Sequence, residues 1–323
     1  MSTPDAVARR RFLPAQLPTS RIELQEYALV GVVLLLIVAG AILESDDFLT
    51  SDNLLNVLRQ ASIVGVLAIG MTFVIATAGI DLSVGSMVAA AAIAGGQFVD
   101  DGSLLFMLAA IAMGIVLGGV NAAAIAYGRV PPFMATLAML LAARGIALWM
   151  SEKTPISTFN LETVRWFGNG EIIGIPSSAV VFLVVTAVAW ILLNRTRYGR
   201  YVVAVGGNRE AARIAGVKVR PIIFSVYVLS GLCAAIAAIM LTGRLASASP
   251  LVGQLYELDA IAAVVIGGTS LAGGRSTIIG TFLGVITFAL IFNLLTLMGL
   301  AVEIQQITKG AIILAAVLLQ WRE

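Results

Sequence analysis

Residues 74–86 read Val74-Ile-Ala-Thr-Ala-Gly79-Ile-Asp81-Leu-Ser83-Val-Gly85-Ser86. An apolar run reaches Gly79, meets a carboxylate at Asp81, passes Gly85 and turns apolar again. A soluble core rarely holds such a charge, and hydrocarbon penalises it further. Composition decides which solvent surrounds it. Of 323 residues, 59% are hydrophobic and 12% charged, and mean hydropathy is +1.00. Soluble domains are nearer half apolar and a quarter charged. Polar surface is too scarce to cover a globule of this size. The bilayer is therefore the solvent, and the glycine-flanked carboxylate interrupts a membrane segment.

Outward from this stretch, runs long enough to span lie at 27–43, 62–79, 104–127, 133–150, 177–193, 221–241, 277–296 and 304–320. Two shorter runs, 84–98 and 260–274, are rich in Gly, Ala and Ser. The expected fold is an all-α polytopic membrane protein of about ten elements, or eight if only the long runs span. Backbone groups in lipid must bond within their own segment, so the spans are helices. Residues 1–26 read as a tail and 27–321 as the transmembrane domain. Pro14, Gln16, Pro18 and Ser20 separate Arg9, Arg10 and Arg11 from the first apolar run, unlike a signal peptide.

Lys and Arg set the orientation. The N-terminus-inside arrangement puts Arg9, Arg10, Arg11, Arg21, Arg129, Arg275 and Arg322 on the cytoplasmic side. The loop 194–220 joins them, with Arg195, Arg197, Arg200, Arg209, Arg213, Lys218 and Arg220. Many acids fall outside: Glu44, Asp46, Asp47, Asp52, Asp100, Asp101, Glu152, Glu162 and Glu171. The prediction is a multi-pass protein of a bacterial inner membrane with both termini cytoplasmic.

Several chemistries are excluded. The chain has no histidine and one cysteine, Cys233. Histidine-based metal sites, triads and proton relays cannot form, nor can a disulfide within the chain or a Cys-cluster zinc site. Cys233 reads as a small buried hydrophobe. A net charge of +2 implies no nucleic-acid partner.

The loop 194–220 contains Asn208-Arg-Glu210-Ala211-Ala212-Arg-Ile-Ala-Gly216-Val217. Asn208 suits an N-cap and Glu210 the positive helix start. Ala211 and Ala212 favour helix, and Gly216 suits the left-handed C-terminal position. Ile214 and Val217 are its expected exposed apolar residues. Such a helix can dock in a partner's groove or lie on anionic lipid.

Glu210-Ala211-Ala212-x-x-x-Gly216 resembles the EAA-x-x-x-G coupling motif of ABC importer permeases. Further stretches resemble the ribose-type branch of those permeases within the branched-chain-amino-acid/ribose superfamily. They are Gly70-Met71-Thr72 through Gly79-Ile-Asp-Leu-Ser-Val-Gly-Ser86, Pro131 through Leu137, Gly206-Gly207-Asn208, and Glu257-Leu-Asp-Ala-Ile-Ala-Ala-Val-Val-Ile-Gly267 through Gly274. The resemblance covers about 60 to 300. It implies a non-enzymatic permease subunit forming the path for a monosaccharide, a ribose-like pentose or a hexose. It also implies a second permease subunit, two separate ATPase subunits holding ATP and Mg, and a periplasmic binding protein. By the same resemblance the short loop helix docks on the ATPase.

Gly268 through Gly273 begins like a P-loop, but Gly274 stands where the phosphate-binding Lys is required and no strand precedes it. No cofactor is expected in this chain. Gly79-x-x-Leu82-x-x-Gly85 and Gly268-x-x-Leu271-x-x-Gly274 share a spacing, one in each half, as interrupted segments flanking a transport site do. Asp81 suits a helix cap, with Ser83 an alternative, or an acceptor for sugar hydroxyls. Asn121 follows Gly114-x-x-x-Gly118 and, like Asn293, suits interhelical hydrogen bonding. Thr72, Asn121, Thr136 and Asn293 are the neutral candidates for a sugar path. Arg144 and Lys309 are expected to snorkel outward. The competing reading is an ion- or proton-coupled carrier of a small polar solute. It is poorly served by a chain without His and with few deep acids.

Overall fold

A computed structural model describes residues 19–321, with side chains described over 26–318. Most of the segment read as a tail, with Arg9, Arg10 and Arg11, lies outside the described residues, as does Arg322. The helices are α1 (Thr19–Leu43), α2 (Ser51–Ala76), α3 (Val84–Gly96), α4 (Ser103–Ala126), α5 (Pro132–Met150), α6 (Glu162–Asn169), α7 (Ser177–Trp190), α8 (Arg197–Gly207), α9 (Arg209–Ile214), α10 (Val219–Leu245), α11 (Tyr256–Ile266), α12 (Ile278–Leu297) and α13 (Val302–Trp321). Ten of them coincide with the ten apolar runs of the sequence. Among the described residues, seven are long and apolar enough to cross a membrane by themselves.

Boundaries differ where polar residues extend a helix. The second span begins at Ser51 rather than 62, because Thr50 caps it by accepting the Asn53 N–H at 3.3 Å. Asp52, Asn53, Asn56, Arg59 and Gln60 lie on that added length, which apolar-run counting passes over. In 260–274 the helix stops at Ile266 and the remainder is loop. The loop 194–220 holds two helices, α8 and α9, after a π turn over Ile191–Arg195.

The core is built around α2 and α10, the two most enclosed long helices. Helix α10 packs on α4 and α2, and α3 on α4 and α5. Small residues permit this: a Cβ at Gly118 would lie 2.7 Å from the Tyr227 carbonyl oxygen and 3.1 Å from the Gly231 Cα. In hydrocarbon such close backbone approach replaces the hydrophobic drive for helix association. Helix α1 covers α12, with Leu34, Leu35, Val38 and Ile42 exposed as a lipid-facing side should be. At the end opposite α9, β1 (Ile156–Ser157) pairs with β4 (Ser247–Ala248), and β2 (Glu171–Ile172) with β3 (Ile175–Pro176).

One unit occurs twice. The 26-residue α2 is followed by a break and the 13-residue α3. The 27-residue α10 is followed by a break over 246–255 and the 11-residue α11. At 1.5 Å per residue the short helices rise only about 20 and 17 Å, short of a ~30 Å hydrocarbon layer. Each break therefore re-enters the apolar layer. The two breaks meet: a Cβ on Gly253 would lie 2.5 Å from the Gly85 carbonyl oxygen. By position in the fold, 246–255 answers 77–83, whereas Gly268–Gly274 follows the second short helix.

Candidate functional site

Helix α2 ends at Ala76. Ala78, at φ 59°, turns the chain, and the Gly79 N–H donates to the Val74 carbonyl at 3.2 Å. The left-handed position is thus Ala78, while Gly79 supplies space. A side chain there would fall on the Tyr227 hydroxyl. Gly85 likewise lies inside α3, and an added Cβ would meet the Gly253 carbonyl and the Glu257 carboxylate.

Asp81 is wholly buried between these glycines. Its Oδ1 accepts the Ser83 backbone N–H at 3.0 Å and the Ser83 hydroxyl at 2.5 Å. Its Oδ2 accepts the Ser230 hydroxyl at 2.9 Å. Asn121 donates to the Ser83 hydroxyl oxygen at 2.9 Å. The carboxylate closes its own turn and ties the break to α10 directly and to α4 through Ser83. Ser83 occupies the N-cap position of α3 and makes no capping bond with its side chain. Thr136 donates to the Ile80 carbonyl at 3.3 Å, as well as to Pro132 in its own helix at 2.9 Å. Asp81, Ser83, Asn121 and Thr136 therefore gather around one break. Thr72 stands apart, its hydroxyl 2.8 Å from that of Thr281 between α2 and α12. Asn293 is also apart, exchanging amide hydrogen bonds with Asn53 at 2.7 and 3.0 Å.

The second glycine segment adopts different backbone. Gly268, Gly273 and Gly274 have φ of 86°, 80° and 74°. The Ser270 N–H donates to the Arg275 carbonyl at 3.0 Å, closing a tight loop. A helix, α11, precedes it where a phosphate-binding loop would need a strand. The loop joins the first break: the Gly274 N–H donates to the Ala76 carbonyl at 3.1 Å. A Cβ on Gly273 would lie 2.8 Å from the Ala78 nitrogen.

The α8–α9 corner completes the junction. Gly206 packs so closely on the Ala76 carbonyl and Gly274 that no side chain fits. Arg209 donates to the Thr77 carbonyl at 3.4 Å. In α9, the Asn208 side chain accepts the Ala211 N–H at 2.9 Å. Gly216 ends the turn at φ 85°, and the Val217 N–H donates to the Ala212 carbonyl at 2.9 Å. Glu210 and Arg213 pair at 2.5 Å on the open surface. That hydrogen bond holds the Glu210 carboxyl below its usual range. Ala212 is buried and Ile214 is 76% exposed. Val217, expected exposed, instead packs on the core, because the bond to Ala212 folds it back beneath the helix.

Sequence reading missed two polar constellations. Arg144, expected to snorkel, donates to the Pro250 and Val252 carbonyls at 2.6 and 2.9 Å. Two carbonyls of the 246–255 break thus hold it inside the fold. Lys309, also expected to snorkel, pairs with Asp259 at 2.5 Å and lies over the Phe292 ring at 5.2 Å. The signal for both was a cation inside an apolar run. The Asp259–Lys309 pair borders a cavity of about 220 Å³ between α2, α11, α12 and α13.

A bundle of apolar helices, with breaks between long and short helices and a polar corner fixed to them, is the fold of a multi-pass membrane protein. The family described as the permease component of branched-chain amino acid transport systems matches residues 53–317, and the chain belongs to it. It is 40% identical to the ribose import permease protein of Escherichia coli K12, over 98% of both chains. Its identity to the ribose import permease protein of Bacillus subtilis is 44%, over 90% of each. The galactofuranose transporter permease protein of E. coli K12 is 39% identical, over 82% of this chain and 79% of the other. No solved structure matches the chain.

Proposed function

We propose that this chain is the membrane subunit of an ATP-binding-cassette importer and carries a monosaccharide, a ribose-like pentose or a hexose. Two separate ATPase subunits hold ATP and Mg, and one docks on α9. A second permease subunit completes the path, and a periplasmic binding protein delivers the sugar. The chain sits in a bacterial inner membrane with both termini and α9 cytoplasmic, and hydrolyses nothing itself.

One observation carries the reading. The α8–α9 corner is fastened to both glycine segments, through Gly206 of α8 on Ala76 and Gly274 and through Arg209 of α9 on Thr77. Ile214 stands exposed on the free face of α9. A push on that face reaches the re-entrant break with no flexible linker between. The sugar class rests on relatives that are ribose, galactofuranose and fructose permeases.

The test is reconstitution with the candidate ATPase and binding protein in liposomes. Uptake of labelled D-ribose, D-fructose or D-galactose that requires ATP and the binding protein is the expected result. Uptake by the chain alone, driven by an ion gradient, would overturn it.

A further inference from the structure

The cavity between α2, α12 and α13 has the wrong lining for a lipid-facing crevice. Asn56 and Gln60 of α2 are exposed into it, and Asn293 of α12 and Gln305 of α13 border it. Within the chain their capacity is only partly used: Asn293 trades hydrogen bonds with Asn53, the Gln305 amide donates to the Leu300 carbonyl, and Asn56 accepts from Arg59. Amide atoms left over would cost several kcal/mol each in hydrocarbon by transfer scales. Its floor is the Asp259–Lys309 pair, whose side chains are 12% and 18% exposed. Lys309 lies seven residues into α13, about 10 Å below the α12–α13 turn at 1.5 Å per residue. An ion pair at that depth faces the bundle interior or a watered cavity, and not lipid. Phe288 and Phe292 form the apolar wall, with the Lys309 ammonium 5.8 and 5.2 Å from their ring centroids.

We infer that this cavity is a binding site for the transported solute, built for an uncharged polyhydroxylated ring. The inference rests on the permease reading above. The chemistry matches that class. Amides offer donors and acceptors together, as hydroxyl groups require. The aromatic wall suits the C–H face of a ring, and the paired charges cancel, so no net charge is demanded of the solute. A volume near 220 Å³ equals about seven waters at ~30 Å³ each, enough for a small ring and its hydroxyls. The pair also fastens α13, which packs chiefly on α11. A mere fastening accounts for Asn293 on Asn53 and Gln305 on Leu300, but has no need of Gln60, which is exposed on the same lining.

Two readouts test the site in the assembled importer. In a Cys233→Ala background, Gln60→Cys and Gln305→Cys should react with a hydrophilic methanethiosulfonate reagent. The binding protein loaded with D-ribose, D-fructose or D-galactose should slow the reaction. Gln60→Leu and Gln305→Leu should each lower uptake of the transported sugar about fivefold, the loss of a hydrogen bond to an uncharged group, with ATPase co-purification unchanged. Parental import with normal uptake in both Leu variants overturns the site and leaves the permease reading intact. Failure of the parental complex to import any of the three sugars counts against that reading instead. The thiol readout still decides the site in that case, since no reaction at either cysteine overturns it.

Discussion

The segments 77–85 and 267–277 carry glycines at the same Gly-x-x-Leu-x-x-Gly spacing, yet use them differently. In the first, neither spaced glycine is left-handed. Gly79 and Gly85 are glycines because Tyr227 and Gly253 occupy the space a side chain would need. Its shape is held by side chains, through the Asp81 hydrogen bonds to Ser83 and Ser230. In the second, Gly268, Gly273 and Gly274 are all left-handed, and backbone bonds from Ser270 to Arg275 and from Gly274 to Ala76 close the loop and join it to the first break. The first break is a packed, cross-linked part of the core. The second is a backbone clasp between that break and the α8–α9 corner. Equal spacing in sequence thus conceals a rigid element beside the element that connects it to the surface.

The first segment is most easily disrupted at Gly85. Gly85→Val puts three carbons against the Gly253 backbone and Glu257, and overpacking costs about 1–3 kcal/mol or more where backbone cannot yield. We expect loss of the monodisperse detergent-purified protein, read by size-exclusion chromatography. Recovery of the parental profile would mean that the breaks do not touch. Asp81→Leu should follow closely. It strands the Ser83 and Ser230 hydroxyls in the core at roughly 1–3 kcal/mol each, seen as a large fall in thermal midpoint. Asp81→Asn retains an acceptor for Ser83, so its fall should be much smaller. Equal loss in both variants would mean that the negative charge, rather than the hydrogen-bonding shape, is required. Glu210→Ala should leave the thermal midpoint of the isolated chain unmoved, because the Glu210–Arg213 pair stands in open solvent. A clear fall there would place α9 in the packed structure rather than on a free face.

Much of this arrangement was legible in the sequence, for identifiable reasons. Long apolar runs announce membrane helices because lipid leaves the backbone no other option. The caps of α9 at Asn208 and Gly216 were legible because capping is local chemistry. The start of α2 was not, since Asn56, Arg59 and Gln60 break the apolar run while continuing the helix. Nor was the meeting of Gly85 with Gly253, or of Asp259 with Lys309. Those contacts join residues far apart in the chain, and spacing carries no record of them. The repeated Gly-x-x-Leu-x-x-Gly pattern suggested two counterpart segments, one in each half; in the fold 246–255 is the counterpart of 77–83, and 267–277 is instead a neighbour that packs on it through Gly273 on Ala78.

We expect the clasp 267–277 to carry motion from the α8–α9 corner to the first break. Gly274→Ala tests it most directly. At φ 74° a Cβ is strained by about 1–2 kcal/mol, and it would press on Gly207 at 2.8 Å, while Asp81 and its partners are untouched. In the reconstituted importer, ATP hydrolysis and labelled-sugar uptake are measured together. We expect the ATPase subunits still to assemble and hydrolyse ATP, while sugar carried per ATP falls about tenfold, the equivalent of ~1.4 kcal/mol. Uptake per ATP at the parental value would contradict it.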